Sequence, residues 1–201
     1  MPRPSQLNEK RRELLPRVAR AFAELGYRRA TTAELAARCG VQENILYRLW
    51  PDKKAMFVAS IHHVYESSLN VWKRVLAVGD HERSAAEQLL GYEAEHHGEF
   101  GLYRILFTAL GETDDPEIRA AAADTYRSFH TWIARHVSGY RKERGVRSFV
   151  PVELAAWAIV GLGTVSNIGR QLDLLDADAR ARLMRLAGRA LLGRATQGRG
   201  D

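Results

Sequence analysis

The chain has 201 residues, 46% hydrophobic and 27% charged, with a net charge of +6 and one cysteine, Cys39. This is an ordinary globular balance in a chain long enough to bury a core as one or two domains. It excludes an intrachain disulfide and fits a reducing, cytoplasmic setting. The N-terminal MPRPSQLNEKRREL lacks the apolar run of a signal peptide. The charge is unevenly placed. Residues 1–54 hold 12 Lys and Arg against 6 Asp and Glu, while the rest holds 18 of each. All the excess positive charge lies in the first quarter, which suggests a polyanion-binding domain joined to a domain with another task.

Nearly every segment reads as helix, and no alternating strand pattern appears. Leu14, Leu15, Val18, Phe22 and Leu25 form an apolar stripe that predicts a first helix over about 9–25, closed by Gly26. Pro16 leaves two options: the helix proper starts near Leu15, or it bends at the proline. Thr31-Thr32-Ala33-Glu34 matches a capping box, with the Thr31 hydroxyl serving the Glu34 amide and the Glu34 carboxylate reaching back. That helix carries Leu35 and Ala36 inward and ends near Cys39-Gly40. A short helix over 42–49 follows and is broken by Trp50-Pro51-Asp52. Asp52 then caps a longer helix from Lys53, with Met56, Phe57, Ile61 and Val64 on one face.

Further helices are predicted at about 53–77, 82–97, 99–110, 116–143, 152–172 and 177–193, separated by Gly, Asp and Pro clusters. Residues 1–8 and 195–201 are expected to be disordered. Leu154–Gly169 is the longest uncharged apolar stretch, 16 residues including Thr164, Ser166 and Asn167. A membrane span needs about 20 residues, so a buried helix is the expectation and no membrane association follows.

Two short helices joined by a tight, glycine-bearing turn have the form of a helix-turn-helix. Gly40 supplies the turn, Ala36 allows close approach, and Val41, Leu46 and Trp50 anchor the second helix from behind. The stretch GYRRATTAELAARCGVQENILYRLWPDKKAMF resembles the N-terminal domain of TetR-type (TetR/AcrR) transcriptional regulators. The specific points are Phe22, Gly26-Tyr27, Thr31-Thr32, Leu35-Ala36, Gly40-Val41, Leu46-Tyr47 and Lys53. The resemblance implies an all-α fold. A three-helix helix-turn-helix domain over 9–54 would join a helical effector-binding and dimerisation domain over 55–194. It also implies a homodimer on double-stranded, palindromic operator DNA, repressing transcription until an unknown small-molecule effector binds. An activator or a ligand-independent regulator of the same fold is the alternative.

The resemblance places Thr32, Tyr47 and Lys53 on phosphates, where they supply affinity and orientation. Base reading falls to the exposed face of residues 42–48. The Gln42 and Asn44 amides suit adenine, and Ile45 suits a thymine methyl unless it is buried. Arg48 suits guanine or a phosphate. Three residues depart from the family. Trp50 stands where a phenylalanine is common and can still fill the core. Leu49 stands where a histidine is common and loses a polar contact with the DNA backbone. Glu43 adds negative charge to the reading helix, either accepting from cytosine or complementing the helix dipole. Cys39 reads as a small buried residue, although oxidation beside the turn would disturb the motif.

In the larger domain the resemblance implies that the last two helices pair with their copies through Ala158, Gly161, Val165, Leu183, Leu186, Ala187 and Ala190. An effector pocket among the middle helices would draw on Tyr92, His96, Phe100, Tyr103, Phe107, Tyr126, Phe129, His130 and Asn167. An enzyme reading would rest on Glu93 and His96, an E-x-x-H spacing that puts both on one helical face. A helical di-iron site needs two such motifs and two further glutamates, and there is one copy. No phosphate loop, nucleophile elbow or zinc helix motif is present, so no metal, cofactor or catalysis is expected.

Overall fold

The computed structural model describes residues 4–79 and 82–193. Among the described residues there are nine helices and no strand: α1 (Pro4–Leu25), α2 (Thr32–Cys39), α3 (Glu43–Leu49), α4 (Lys53–Val78), α5 (Ala85–His96), α6 (Arg104–Leu110), α7 (Pro116–Glu143), α8 (Val152–Gln171) and α9 (Ala177–Leu192). They divide into two compact units. One takes in the chain up to Ser68 together with Phe100–Thr125, and the other takes in Leu69–Glu99 with the chain from Tyr126 onward. The long helices α4 and α7 contribute to both. Compactness therefore groups α6 and the start of α7 with the N-terminal helices, a grouping that patterning along the chain does not reveal.

The first unit is built on a run of apolar residues. Leu14, Val18, Phe22, Leu35, Leu46, Met56, Phe57 and Ile61 are all fully buried. The Phe57 ring stacks on Tyr27 at 4.6 Å and meets the edge of Phe22 at 5.1 Å. α1 begins at Pro4, so residues 4–8, expected to be disordered, are helical, and the helix runs through Pro16. Neither a start near Leu15 nor an expected first residue near 9 holds. The buried Leu14 and Val18 on either side of Pro16 keep the helix in place despite the missing amide. The expected disorder at 1–3 and 195–201 lies outside the described residues.

The second unit centres on Ala86, Val137, Ala155 and Leu192, with Leu90, Ile133, Tyr140, Val150, Val152 and Ile159 packed around them. Small residues set its spacing. A Cβ on Gly188 would meet the Leu90 side chain at 2.3 Å, and one on Gly163 would meet the His97 ring at 2.9 Å. These glycines let α9 and α8 approach α5. α5 starts three residues later than expected because Ser84 and Glu87 form a second capping box, a signal overlooked in the sequence. α6 starts at Arg104 rather than near 99, after turns at Gly98 and Gly101, both with positive φ.

α8 corrects a further expectation. It is 20 residues long with a mean hydropathy of 1.3 over its most apolar window, enough to cross a membrane by length and composition alone. It is not the buried helix that was expected. Leu154, Trp157, Val165, Ile168 and Leu172 are exposed, while Ala155, Ala156, Ser166 and Asn167 are buried. α8 thus has one face in the unit's core and one apolar face outward.

Candidate nucleic-acid interface

The helix-turn-helix forms as the residues require. Thr31 caps α2: its hydroxyl accepts from the Glu34 amide at 3.2 Å, and Glu34 Oε2 accepts from the Thr31 amide at 2.9 Å and the Thr31 hydroxyl at 2.8 Å. These bonds, the backbone one first, hold the Glu34 carboxyl below the usual carboxylate range. Gly40 then takes the left-handed conformation, φ 67°, and its amide returns to Ala36 and Ala37. Gln42 is the N-cap of α3, and Asp52 Oδ1 accepts from the Ala55 amide at 2.7 Å to start α4.

α3 is divided sharply by exposure. Leu46, Leu49 and the following Trp50 are buried, while Gln42, Glu43, Asn44, Tyr47 and Arg48 are exposed. The residues expected to read bases, Gln42, Asn44 and Arg48, therefore share the open face. Ile45 is half-buried, so it lies at the edge of that face rather than on it. Leu49 is only 2% exposed. It is a core anchor, and a buried apolar side chain makes no polar contact with DNA.

The three residues expected on phosphates stand as follows. The Tyr47 hydroxyl donates to Thr32 Oγ1 at 3.1 Å, which brings the two to the same end of α2. Lys53 Nζ donates to the carbonyls of Tyr27 at 3.1 Å and Ala30 at 3.0 Å, and lies 4.7 Å from the centre of the Tyr27 ring. An ammonium has three N–H donors, so one remains for an anion. Lys53 also ties down the α1–α2 loop, a role that sequence spacing did not signal. Nearby cations are held by acids of the α6–α7 turn and the first turn of α7. Arg28 donates to Glu112 at 2.7 Å, and Lys54 lies 3.0 Å from Glu117 and 3.4 Å from Asp115. Cys39 is fully buried, and burial pushes its thiol up, away from the reactive thiolate.

The residues expected around an effector fall in both compact units. Phe100, Tyr103 and Phe107 belong to the first unit; Phe100 is exposed and the Tyr103 hydroxyl is 3.0 Å from Ser68 Oγ. In the second unit Tyr92 and His96 pack at 4.6 Å between ring centres, Phe129 meets Trp72 at 5.8 Å, and His130 stacks on Trp157 at 4.5 Å. Burial raises the Tyr126 hydroxyl above its ordinary value, and its hydrogen bond with Thr164 opposes this. Asn167 Nδ2 is 3.1 Å from His97 Nε2. The E-x-x-H pair does not meet. Glu93 joins His97, one turn on, at 2.5 Å and accepts from Trp72 Nε1 at 2.5 Å, while His96 pairs with Glu99. His97, rather than His96, is thus the histidine at the centre of a polar network. Among the described residues no group of three or more His, Cys, Asp or Glu could hold a metal ion.

The dimer candidates all lie on α8 and α9. Ala158, Val165, Leu186 and Ala190 are exposed, and Gly161, Leu183 and Ala187 are half-buried. Met184, Gly188 and Leu192 carry the buried stripe of α9 instead. Leu186 is 70% exposed, a large apolar residue facing outward.

Comparison with known proteins agrees with this geometry. Residues 18–60 match the model of the bacterial regulatory proteins of the tetR family. The nucleoid occlusion factor SlmA of Vibrio vulnificus is 32% identical over 170 residues, 81% of this chain and 83% of that protein. SlmA of Vibrio cholerae is 31% identical over 161 residues, 75% of this chain and 79% of that protein. Among solved structures, a TetR-family transcriptional regulator from Cytophaga hutchinsonii superposes with a TM-score of 0.75 at 16% identity, over 95% of this chain and 96% of its own. A regulator from Rhodococcus sp. superposes with a TM-score of 0.73 at 18% identity, over 89% and 96%. At those identities the structural likeness shows the fold alone.

Proposed function

This chain belongs to the TetR family of bacterial regulatory proteins, a DNA-binding transcriptional regulator by that membership, and we propose that it acts as a homodimeric repressor released from a palindromic operator by a small molecule. The observation that carries the DNA reading is the divided surface of α3, polar outward and apolar inward, beside the Thr32–Tyr47 pair. In this reading Thr32, Tyr47 and Lys53 grip phosphates, and Gln42, Asn44 and Arg48 read bases, with Ile45 at their edge. It acts in the cytoplasm, on duplex DNA.

The dimer reading is supported by the outward apolar face of α8 and α9. A second copy covers that face and supplies the second reading helix, about 34–36 Å away in the next major groove. The effector acts through the second unit by binding the DNA-incompetent arrangement better; a coupling of about 1–3 kcal/mol lowers operator affinity roughly 5- to 150-fold. Selection of DNA from a random pool tests the whole reading. A two-fold symmetric site is expected, and an unselected pool would defeat it.

The relatives named nucleoid occlusion factors favour a second reading, in which the chain serves in nucleoid occlusion. A map of bound chromosomal sites separates the two. One or a few sites at promoters whose genes respond to loss of the protein support the repressor. Sites scattered along the chromosome, with no responding gene, support the second reading.

A further inference from the structure

The basic excess of residues 1–54 has the look of a DNA footprint, yet two of its cations reach into the helix-turn-helix itself. Arg11 Nε donates to the carbonyl of Leu49 at 2.9 Å, and its Nη2 reaches the same oxygen. Arg17 Nη1 donates to the carbonyl of Cys39 at 3.1 Å. Leu49 is the last residue of α3 and Cys39 the last of α2. A helix ends with unsatisfied carbonyls and a partial negative charge, and a guanidinium answers both. Backbone amides serve three of the earlier ones: Gly40 and Val41 return to Ala36 and Ala37, and Trp50 to Leu46 at 2.9 Å. The terminal carbonyl of each helix is left to an arginine of α1.

We propose that Arg11 and Arg17 are positioning residues for DNA reading, which set the tilt of α3 and α2 by capping their last carbonyls and do not bind phosphate. α3 has seven residues, too few to be stable alone, so its direction depends on what holds its ends. Its buried residues set its rotation, and the Arg11 cap sets its C-terminal end. The Arg11 guanidinium also lies 5.8 Å from the centre of the Trp50 ring, just beyond that end. Both arginines are carried by one helix, and Leu14 and Val18, on α1 alongside them, are fully buried. The two caps therefore move together, as does the pair of helices they hold. The same device recurs in the second unit, where Arg141 donates to the carbonyls of Leu191 at 2.9 Å and Leu192 at 3.2 Å, at the end of α9. Hydrogen bonds to bases weaken steeply with misalignment, so a loosened α3 loses discrimination before it loses general attraction.

This inference rests on α3 being the helix that reads bases. The test uses the full chain, the site selected from a random pool, and a random-sequence duplex of equal length, each titrated across a salt series. Arg11→Gln is expected to lower affinity for the selected site about 10- to 100-fold and for the random duplex far less, with the salt slope unchanged. Arg11→Lys, which keeps a donor and the charge, is expected to restore part of the loss. A slope shallower by about 0.9 with the selected-to-random ratio intact would make Arg11 a phosphate contact and overturn the proposal. If Arg11→Gln does not fold, the wild type decides. The Arg11 Nε–H, followed by 15N NMR, is expected to exchange slowly without DNA and to keep its shift when the random duplex is added. Fast exchange, or a large shift, overturns the cap. A wild type that selects no sequence removes the base-reading premise itself. A wild type that selects one, with an Arg11→Gln variant that keeps its selectivity, removes only this inference.

Discussion

α3 and α8 each turn one face into a core and leave the other open, but the open faces are of opposite chemistry. On α3 and its N-cap the open face is Gln42, Glu43, Asn44, Tyr47 and Arg48; on α8 it is Leu154, Trp157, Val165 and Ile168. A polar face of donors and acceptors on a short, well-anchored helix suits the edges of bases. An apolar face on a long helix gains from removal from water, at roughly 25 cal/mol per Å² of apolar area buried. The contrast is between a surface that must be matched group by group and one that needs only shape and area. Substitutions on the two faces should therefore fail in different ways.

The largest effect is expected on the apolar side. Val165→Asp with Leu186→Arg places charge on the outward faces of α8 and α9, and light scattering should report a monomer. Operator affinity should then fall about 100-fold or more, because the second half-site loses its tethered partner. A dimer that persists would separate that face from self-association. Next comes the reading face. Asn44→Ala should relax preference at one base position, worth about 1–3 kcal/mol of discrimination, in a repeat of the random-pool selection. Unchanged selection would take Asn44 off the reading face.

Lys53→Ala should weaken binding to all sequences and make the salt slope shallower by about 0.9. Because Lys53 also holds the Tyr27 and Ala30 carbonyls, the melting temperature should fall as well. A changed base preference with an unchanged slope would assign Lys53 to loop geometry alone. The smallest effect belongs to Glu34. Its carboxyl titrates lower in the folded chain than in the unfolded one, so the unfolded state binds the proton first. The stability it contributes is full above the ordinary carboxylate range and is lost as pH falls through its lowered folded value. Glu34→Gln has no such titration. The difference in melting temperature between wild type and variant should thus be flat near neutrality and shrink only in acid. A difference that varies near pH 7 would point to another group.

Local signals are legible where one short segment contains both partners. The Thr31–Glu34 box, Gly40 and the Asp52 cap all lie within four residues of what they serve, and the structure has each in its place. The anchoring role of Leu49 is not legible locally, because Arg11 of α1, 38 residues away, takes its carbonyl. The role of His97 is hidden for the same reason. Its adjacency to His96 hid the fact that the helix aims it one turn back at Glu93, with Asn167 arriving from α8 at 70 residues' distance.

What the sequence alone determined is the class of the protein: an all-helical chain with a helix-turn-helix near its start. Capping, turn geometry and helical periodicity are set by residues within a turn or two of each other. The tertiary structure decided which faces those helices leave open. It turned the apolar side of α8 outward, buried Leu49, brought α6 into the first unit and placed two arginines of α1 on the ends of α2 and α3. Exposure belongs to the packed assembly of all the helices, and no single segment carries enough of that assembly to reveal it.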